Sequence, residues 1–196
     1  QQEALFLLQS ALEHLVQSAP HLQKTTAPIL PDRGFIHINR KDINMINSDY
    51  MNAIQLALQG TGHTSPNPLV GAVIVKDDQI IGQGYHARYG DLHAERAALA
   101  ACTQSPEGAT IYVTLEPCCH HGKQPPCTEA ILESGIKHVI IGSRDPNPLV
   151  SGKGSRILRE HGIEVTEDFM REECDAINAI FFHYIQTGMP YVTLKY

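Results

Sequence analysis

Residues 114–127 read Thr-Leu-Glu-Pro-Cys-Cys-His-His-Gly-Lys-Gln-Pro-Pro-Cys, and the reading of this stretch decides the fold. It holds three of the chain's five cysteines, with two histidines, a lysine and three prolines. A hydrophobic core needs none of these groups, and a plain solvent loop does not collect thiols. Upstream, His93-Ala94-Glu95 sets a histidine and a carboxylate two residues apart near the start of an Ala-rich helical stretch, residues 92–102. Zinc takes thiolate and imidazole ligands, and a catalytic site uses three from the protein so that a fourth position remains for water. His93 with two cysteinates makes a neutral set around a dication, leaving enough Lewis acidity for water to ionise near neutral pH. Glu95 is spaced to take the proton of that water and hand it to a leaving amine. Pro117, a residue favoured in a first helical turn, puts Cys118 at an expected helix N-terminus, where thiolate is stabilised.

The flanks read outward from that stretch. Residues 110–115 are a β-branched strand that delivers the chain into it. Residues 128–134 read as a helix closed by Gly135, and 138–142 as the next strand. A helix at 155–161, a strand at 163–166 and one long helix to about Gln186 follow. Ahead of the stretch, Ser48-Asp49 is the expected N-cap of a helix carrying Met51, Ile54, Ala57 and Leu58, with Gly60 ending it. Residues 72–75 and 80–84 flank Lys76-Asp77-Asp78-Gln79 and read as a hairpin. The alternation of strands and helices predicts a three-layer α/β/α sandwich around a mixed sheet of about five strands.

Two identical pentapeptides, Pro66-Asn67-Pro68-Leu69-Val70 and Pro146-Asn147-Pro148-Leu149-Val150, sit in stiff loops. Their flanks share nothing, so they are no internal repeat. An Asn in such a loop either satisfies its own backbone or orients a ligand, and both readings stand.

The bulk numbers narrow the function class. The chain has 196 residues, 42% hydrophobic and 18% charged, which describes an ordinary globular domain with room for extensions. A net charge of -6, 6% aromatic residues and no Trp argue against a nucleic-acid surface. An odd number of cysteines, two of them adjacent, fits reduced thiols in a cytoplasm better than a disulfide framework. No apolar run approaches the roughly 18 residues of a membrane span, and no signal-peptide pattern opens the chain, which begins with Gln. In residues 1–47, Leu5, Leu8, Leu12 and Leu15 recur at helical spacing before Pro20, Pro28 and Pro31 interrupt regular structure. That segment is expected to be an N-terminal extension of unassigned role, with 48–187 as the functional domain.

The spacing Cys118 to Cys127 is C-x8-C, unlike the tight pairs of common zinc folds. Together with His93-Ala-Glu95 and Leu115-Glu-Pro-Cys118 it resembles the cytidine-deaminase-like zinc deaminases, whose signature is H-x-E followed by P-C-x-x-C. The longer gap resembles one branch, the deaminase domain of the bifunctional riboflavin-biosynthesis deaminase/reductases. Further matching points are Asn67-Pro-Leu-Val-Gly-Ala72, Tyr89-Gly90, His121-Gly-Lys123, Pro125-Pro-Cys127, Ser134-Gly-Ile136 and Asp145-Pro-Asn-Pro148, over about residues 49–196.

The resemblance implies that His93, Cys118 and Cys127 hold zinc and that Glu95 shuttles the proton. It implies hydrolytic deamination of a diaminopyrimidinone carrying a ribosylamino phosphate, with Asn67, His86, Lys123, Asp145 and Asn147 around that small molecule. Neither nucleic acid nor membrane is an expected partner. The resemblance and the leucine stripe together point to a homo-oligomer. Residues 190–195 resemble the first strand of the family's reductase domain, so 188–196 reads as a stub, and neither reductase activity nor a nicotinamide cofactor is expected of this chain. Cys119, where the family usually has a small residue, is a rival of Cys118 as ligand. His120 and His121 could instead close a structural site, which would leave Glu95 without a task. Cys102 and Cys174 read as small core residues in helices. A deaminase of another nucleotide or a tRNA base, and a non-catalytic zinc-binding subunit, are the competing functions.

Overall fold

The computed structural model describes residues 40–147 and 151–194. The N-terminal leucine stripe, the prolines that follow it, and Pro148, Leu149 and Val150 therefore lie outside the described residues.

The strand that leads into the cysteine stretch, β3 (Thr110–Leu115), is the middle of a five-stranded sheet in the order β2-β1-β3-β4-β5. On one side it pairs antiparallel with β1 (Gly71–Lys76), Ala72 opposite Val113. On the other it pairs parallel with β4 (His138–Ser143), Tyr112 opposite Ile140. The edges are β2 (Gln79–Tyr85), antiparallel to β1, and β5 (Glu164–Thr166), parallel to β4. Asp77 and Asp78 close the β1–β2 hairpin at φ 49° and 60°, the paired left-handed turn that suits the twist of the strands.

Successive β3 side chains face opposite ways, which makes the layers. Tyr112 meets Tyr50 of α1 (Arg40–Leu58) edge to face, ring centroids 6.2 Å apart. That helix buries Tyr50, Ala53, Ile54 and Ala57, a helical i, i+3, i+4, i+7 face, and touches α5 (Arg171–Ile177), which covers β4. Ile111 and Val113 belong to a core with Ala94, Ala98, Ile131 and Leu158. Those four come from α2 (Ala94–Ala100), α3 (Cys127–Glu133) and α4 (Lys153–Glu160). The three-layer sandwich and the mixed sheet of five strands are thus as the sequence predicts.

Several boundaries move. Helix α1 runs straight through Ser48 and Asp49, which cap nothing, because no glycine or proline stands between Gly34 and Gly60. It ends at Leu58, and Gly60 matters for space instead, since a Cβ there would meet the His86 carbonyl at 2.6 Å. Helix α2 begins at Ala94 and ends at Ala100, leaving Cys102 beyond it and half-buried. A Cβ on Gly84 would lie 2.5 Å from Ala98 N, so this glycine lets α2 lie flush on β2. The expected long terminal helix is two, α5 and α6 (Ala179–Thr187), broken at Asn178 with φ -116° and ψ 17°. Over 188–194 no strand forms, since none of the described strands runs beside it to complete a ladder. Among the described residues no helix is long and apolar enough to cross a membrane.

Candidate metal centre and cavity

Two helix starts and one strand exit meet at a point. His93 is the extended N-cap residue of α2 (φ -69°, ψ 158°), and its side chain makes no capping bond. Cys127 is the first residue of α3 and is buried. Cys118 lies in the loop three residues past the end of β3, so the helix expected there begins nine residues later. Pro125-Pro126 hold the chain out of the helical region directly before Cys127, with Pro126 at φ -53° and ψ 137°. His93 Nδ1 lies 3.4 Å from both Cys118 Sγ and Cys127 Sγ, and the Cys127 N–H donates to Cys118 Sγ at 3.3 Å. The three ligand atoms all lie within 4.8 Å of one another, and among the described residues this is the group able to hold a metal. Arg96 steadies its last member, donating to the carbonyls of Pro125 (3.1 Å) and Pro126 (2.9 Å) just ahead of Cys127. Cys119, His120 and His121 stay outside the group, with His121 facing Glu129 at 3.5 Å on the surface.

The electrostatics of the group ask for a cation. Hydrogen bonding from the Cys127 thiol, then from His93, draws Cys118 down to about 4 against the cost of its burial. The same pairing, with burial and the Glu95 charge, pushes Cys127 upward. With protons alone, one sulfur ionises at the expense of the other. Two thiolates and an imidazole at this separation are compatible with a dication between them, and this donor set fits zinc. Glu95 is 3% exposed, and burial, then the nearby Cys118 charge, raises its carboxyl to about 7.

A cavity of about 400 Å³ opens above this floor. His93, Glu95 and Cys118 line it, and so do all five residues expected around a substrate: Asn67, His86, Lys123, Asp145 and Asn147. His86 is buried, and its Nδ1 donates to the Leu92 carbonyl at 3.0 Å, which leaves Nε2 to accept from the Asn67 amide at 3.1 Å. Lys123 Nζ sits 3.9 Å over the Tyr89 ring, a cation–π contact that folds the lysine over the cavity rim. The Asn147 N–H donates to Asp145 Oδ1 at 2.8 Å, and burial raises the Asp145 carboxyl.

Sequence reasoning missed three contributors. Glu116, 5% exposed, accepts from the backbone N–H groups of Asp145 (3.2 Å), Gly152 (3.0 Å), Gly154 (3.0 Å) and Ser155 (3.4 Å). It therefore ties the metal stretch to the loop bearing Asp145 and Asn147. A carboxylate at a strand end directly before Pro-Cys was the available signal. Phe181 and Ile185 of α6 add an apolar wall, and nothing in their spacing distinguishes a cavity wall from a core face.

The family model for the cytidine and deoxycytidylate deaminase zinc-binding region matches residues 45–143. The chain is 60% identical over 153 residues to riboflavin biosynthesis protein RibD of Actinobacillus pleuropneumoniae, covering 78% of this chain and 41% of that protein. It is 51% identical over 138 residues to the diaminohydroxyphosphoribosylamino-pyrimidine deaminase of Buchnera aphidicola subsp. Schizaphis graminum, covering 70% of this chain and 94% of that protein. Among solved structures, RibD of Acinetobacter baumannii superposes with a TM-score of 0.73 at 47% identity, covering 76% of this chain and 42% of that one. The chain thus spans about two fifths of the length of these RibD relatives. The chain belongs to the zinc-dependent cytidine and deoxycytidylate deaminase family, and within it to the deaminase domain of the riboflavin-biosynthesis RibD proteins.

Proposed function

We propose that the protein deaminates 2,5-diamino-6-ribosylamino-pyrimidinone 5′-phosphate by hydrolysis, giving the aminouracil product and ammonia in riboflavin biosynthesis, with residues 48–187 as the deaminase unit. The observation that carries this reading is the 51% identity to the Buchnera pyrimidine deaminase across 94% of that protein. The cavity supports it, with a three-donor metal group and a buried carboxylate on its floor and polar side chains on its rim.

His93, Cys118 and Cys127 would hold zinc, which when bound supplies the Lewis acidity that lets water ionise near neutral pH. Glu95 takes a proton from the attacking water as its oxygen bonds to the amino-bearing ring carbon. The same carboxyl then delivers that proton to the departing amino nitrogen, the carbon–nitrogen bond breaks and ammonia leaves. The second proton of the water passes from the oxygen to the adjacent ring nitrogen to leave a ring carbonyl. Asn67, His86, Asp145 and Asn147 orient the pyrimidine and ribose, and Lys123 meets the phosphate. A cytoplasmic setting and a homo-oligomeric assembly complete the proposal, and light scattering on the purified chain tests the latter.

The deciding experiment measures ammonia release from the zinc-loaded protein. Its arms are the pyrimidine phosphate, cytidine, deoxycytidylate and a tRNA anticodon stem. Release from the pyrimidine phosphate alone is expected. Release from another arm and not from that one overturns the assignment.

A further inference from the structure

One stretch of the cavity wall is held by its main chain from a distant part of the sequence. Leu69 lies between Pro68 and Val70, which both line the cavity, and two residues after Asn67. Its N–H donates to Asn178 Oδ1 and its carbonyl accepts from Asn178 Nδ2, each at 2.8 Å. Asn178 is 3% exposed and is not among the cavity-lining residues. A side-chain amide carries the same donor and acceptor as a peptide group, so Asn178 serves Leu69 as a one-residue neighbouring strand. The loop has few substitutes for it. Pro66 and Pro68 have no N–H to give, and the strand ladder begins only at Gly71. Asn178 is also the joint between α5 and α6. Its carbonyl accepts from the Phe182 N–H at 2.9 Å, in the first turn of the helix that carries Phe181 and Ile185 to the cavity.

We propose that Asn178 is a positioning residue of the substrate cavity: its grip on the Leu69 main chain sets the Asn67 amide against His86 Nε2 and aligns it with the wall contributed by α6. This rests on the deaminase reading, in which Asn67 meets the substrate. The chemistry of the clasp explains why an asparagine stands there. Aspartate keeps the acceptor for the Leu69 N–H but has no donor for the carbonyl, and alanine has neither. A half-buried main-chain pair without its partners draws in water or shifts, and the loop moves with it. Loss of the clasp therefore weakens substrate binding before it touches the proton transfer at Glu95.

The test compares wild type, Asn178→Ala, Asn178→Asp, Asn67→Ala and the double variant Asn67→Ala/Asn178→Ala by steady-state ammonia release and zinc analysis. Each protein is expected to hold about one zinc. In Asn178→Ala, KM should rise about tenfold with kcat within about threefold, the pattern of lost binding rather than lost chemistry. Asn178→Asp keeps the size of the residue and one of its two bonds, so it carries the test if the alanine variant does not fold, and its KM should rise as well. On the Asn67→Ala background, adding Asn178→Ala should raise KM by less than about threefold, because the two residues act through one contact. Wild-type KM in both Asn178 variants, a joint fall of kcat and zinc content, or full additivity with Asn67→Ala overturns the inference. Amide hydrogen exchange over residues 66–71 reads the clasp without turnover, and should speed up at least about tenfold in Asn178→Ala. If wild type releases no ammonia, the deaminase reading fails on its own, while unchanged exchange sinks the positioning role in either case.

Discussion

The floor of the cavity and its rim are built by different means. On the floor, His93 and Cys127 stand at helix starts, Glu95 is one residue into α2, and Cys118 follows the central strand. Ordinary element ends place all four, and the burial of Cys127 and Glu95 fixes the floor in the core. The rim is made of loops, among them those that bring Asn67 and Asn147 of the two Pro-Asn-Pro-Leu-Val copies to the cavity. The first copy is clasped at Leu69 by Asn178, 109 residues away. The loop that carries the second is bracketed by the Glu116 carboxylate, which takes N–H groups on both sides of it. The asparagines of the two copies, Asn67 and Asn147, thus reach one cavity by unrelated attachments, one after a helix and the other after a parallel strand. Floor positions are local decisions of the chain, and rim positions are long-range ones.

Damage to the floor should therefore abolish chemistry, and damage to the rim should weaken binding. The largest effect is expected from Cys127→Ser, which should leave less than about a tenth of a zinc per chain and remove activity with the metal. Cys119→Ser should keep both zinc and turnover. If metal analysis shows Cys119→Ser losing zinc, the neighbouring thiol belongs to the floor and the ligand set is wrong. Next comes Glu95→Gln, which should keep about one zinc and lose turnover by roughly 10² or more. A fully active Glu95→Gln would refute the proton-transfer role.

Rim changes should be milder and of another kind. Glu116→Gln turns an amide toward backbone donors that now meet a carboxylate, and should cost roughly 1–3 kcal/mol of stability. Thermal unfolding reads that loss, and kinetics should show KM rising more than kcat falls. A parallel loss of zinc would move Glu116 from the rim to the floor. Smallest is an exposed ion pair next to the rim loop in sequence but outside the cavity lining. Arg144, then Arg171, holds the Asp168 carboxyl below the usual carboxylate range. A lowered folded value means the pair stabilises above the ordinary Asp range and loses that contribution as pH falls through the folded value. The groups are exposed enough that Asp168→Asn should cost less than about 1 kcal/mol near neutral pH and nothing in acid, with turnover unchanged. Unfolding curves at pH 7 and in acid would expose a larger role.

The same division governs how much could be read without coordinates. The hairpin at Asp77-Asp78, the central strand at 110–115 and the helix before Gly135 each announce themselves through turn residues, β-branched runs and breakers close to hand. The candidate metal group was legible in outline for the same reason, since a thiol-rich stretch and His93-Ala-Glu95 need chemistry to explain them. The break at Asn178 was not legible, because residues 171–186 contain no proline or glycine to interrupt a helix. The start of α1 was missed in the opposite sense, since Ser48-Asp49 is a good cap in a place where the helix has no reason to begin.

By itself, then, the sequence pointed to a thiol-and-imidazole group with a carboxylate at Glu95 beside it, to the order of strands and helices, and to the kind of loop on which each asparagine rides. Tertiary structure alone decided that Cys118 and not Cys119 faces His93 and Cys127, that Glu116 ties the second loop, that Phe181 and Ile185 wall the cavity, and that Asn178 grips Leu69. The physical reason lies in range. Caps, turns and metal donors act through atoms a few residues apart or through unusual chemistry, and both leave a mark in the local sequence. A carboxylate or an amide serving a main chain tens of residues away looks like any other polar residue until packing brings the two together.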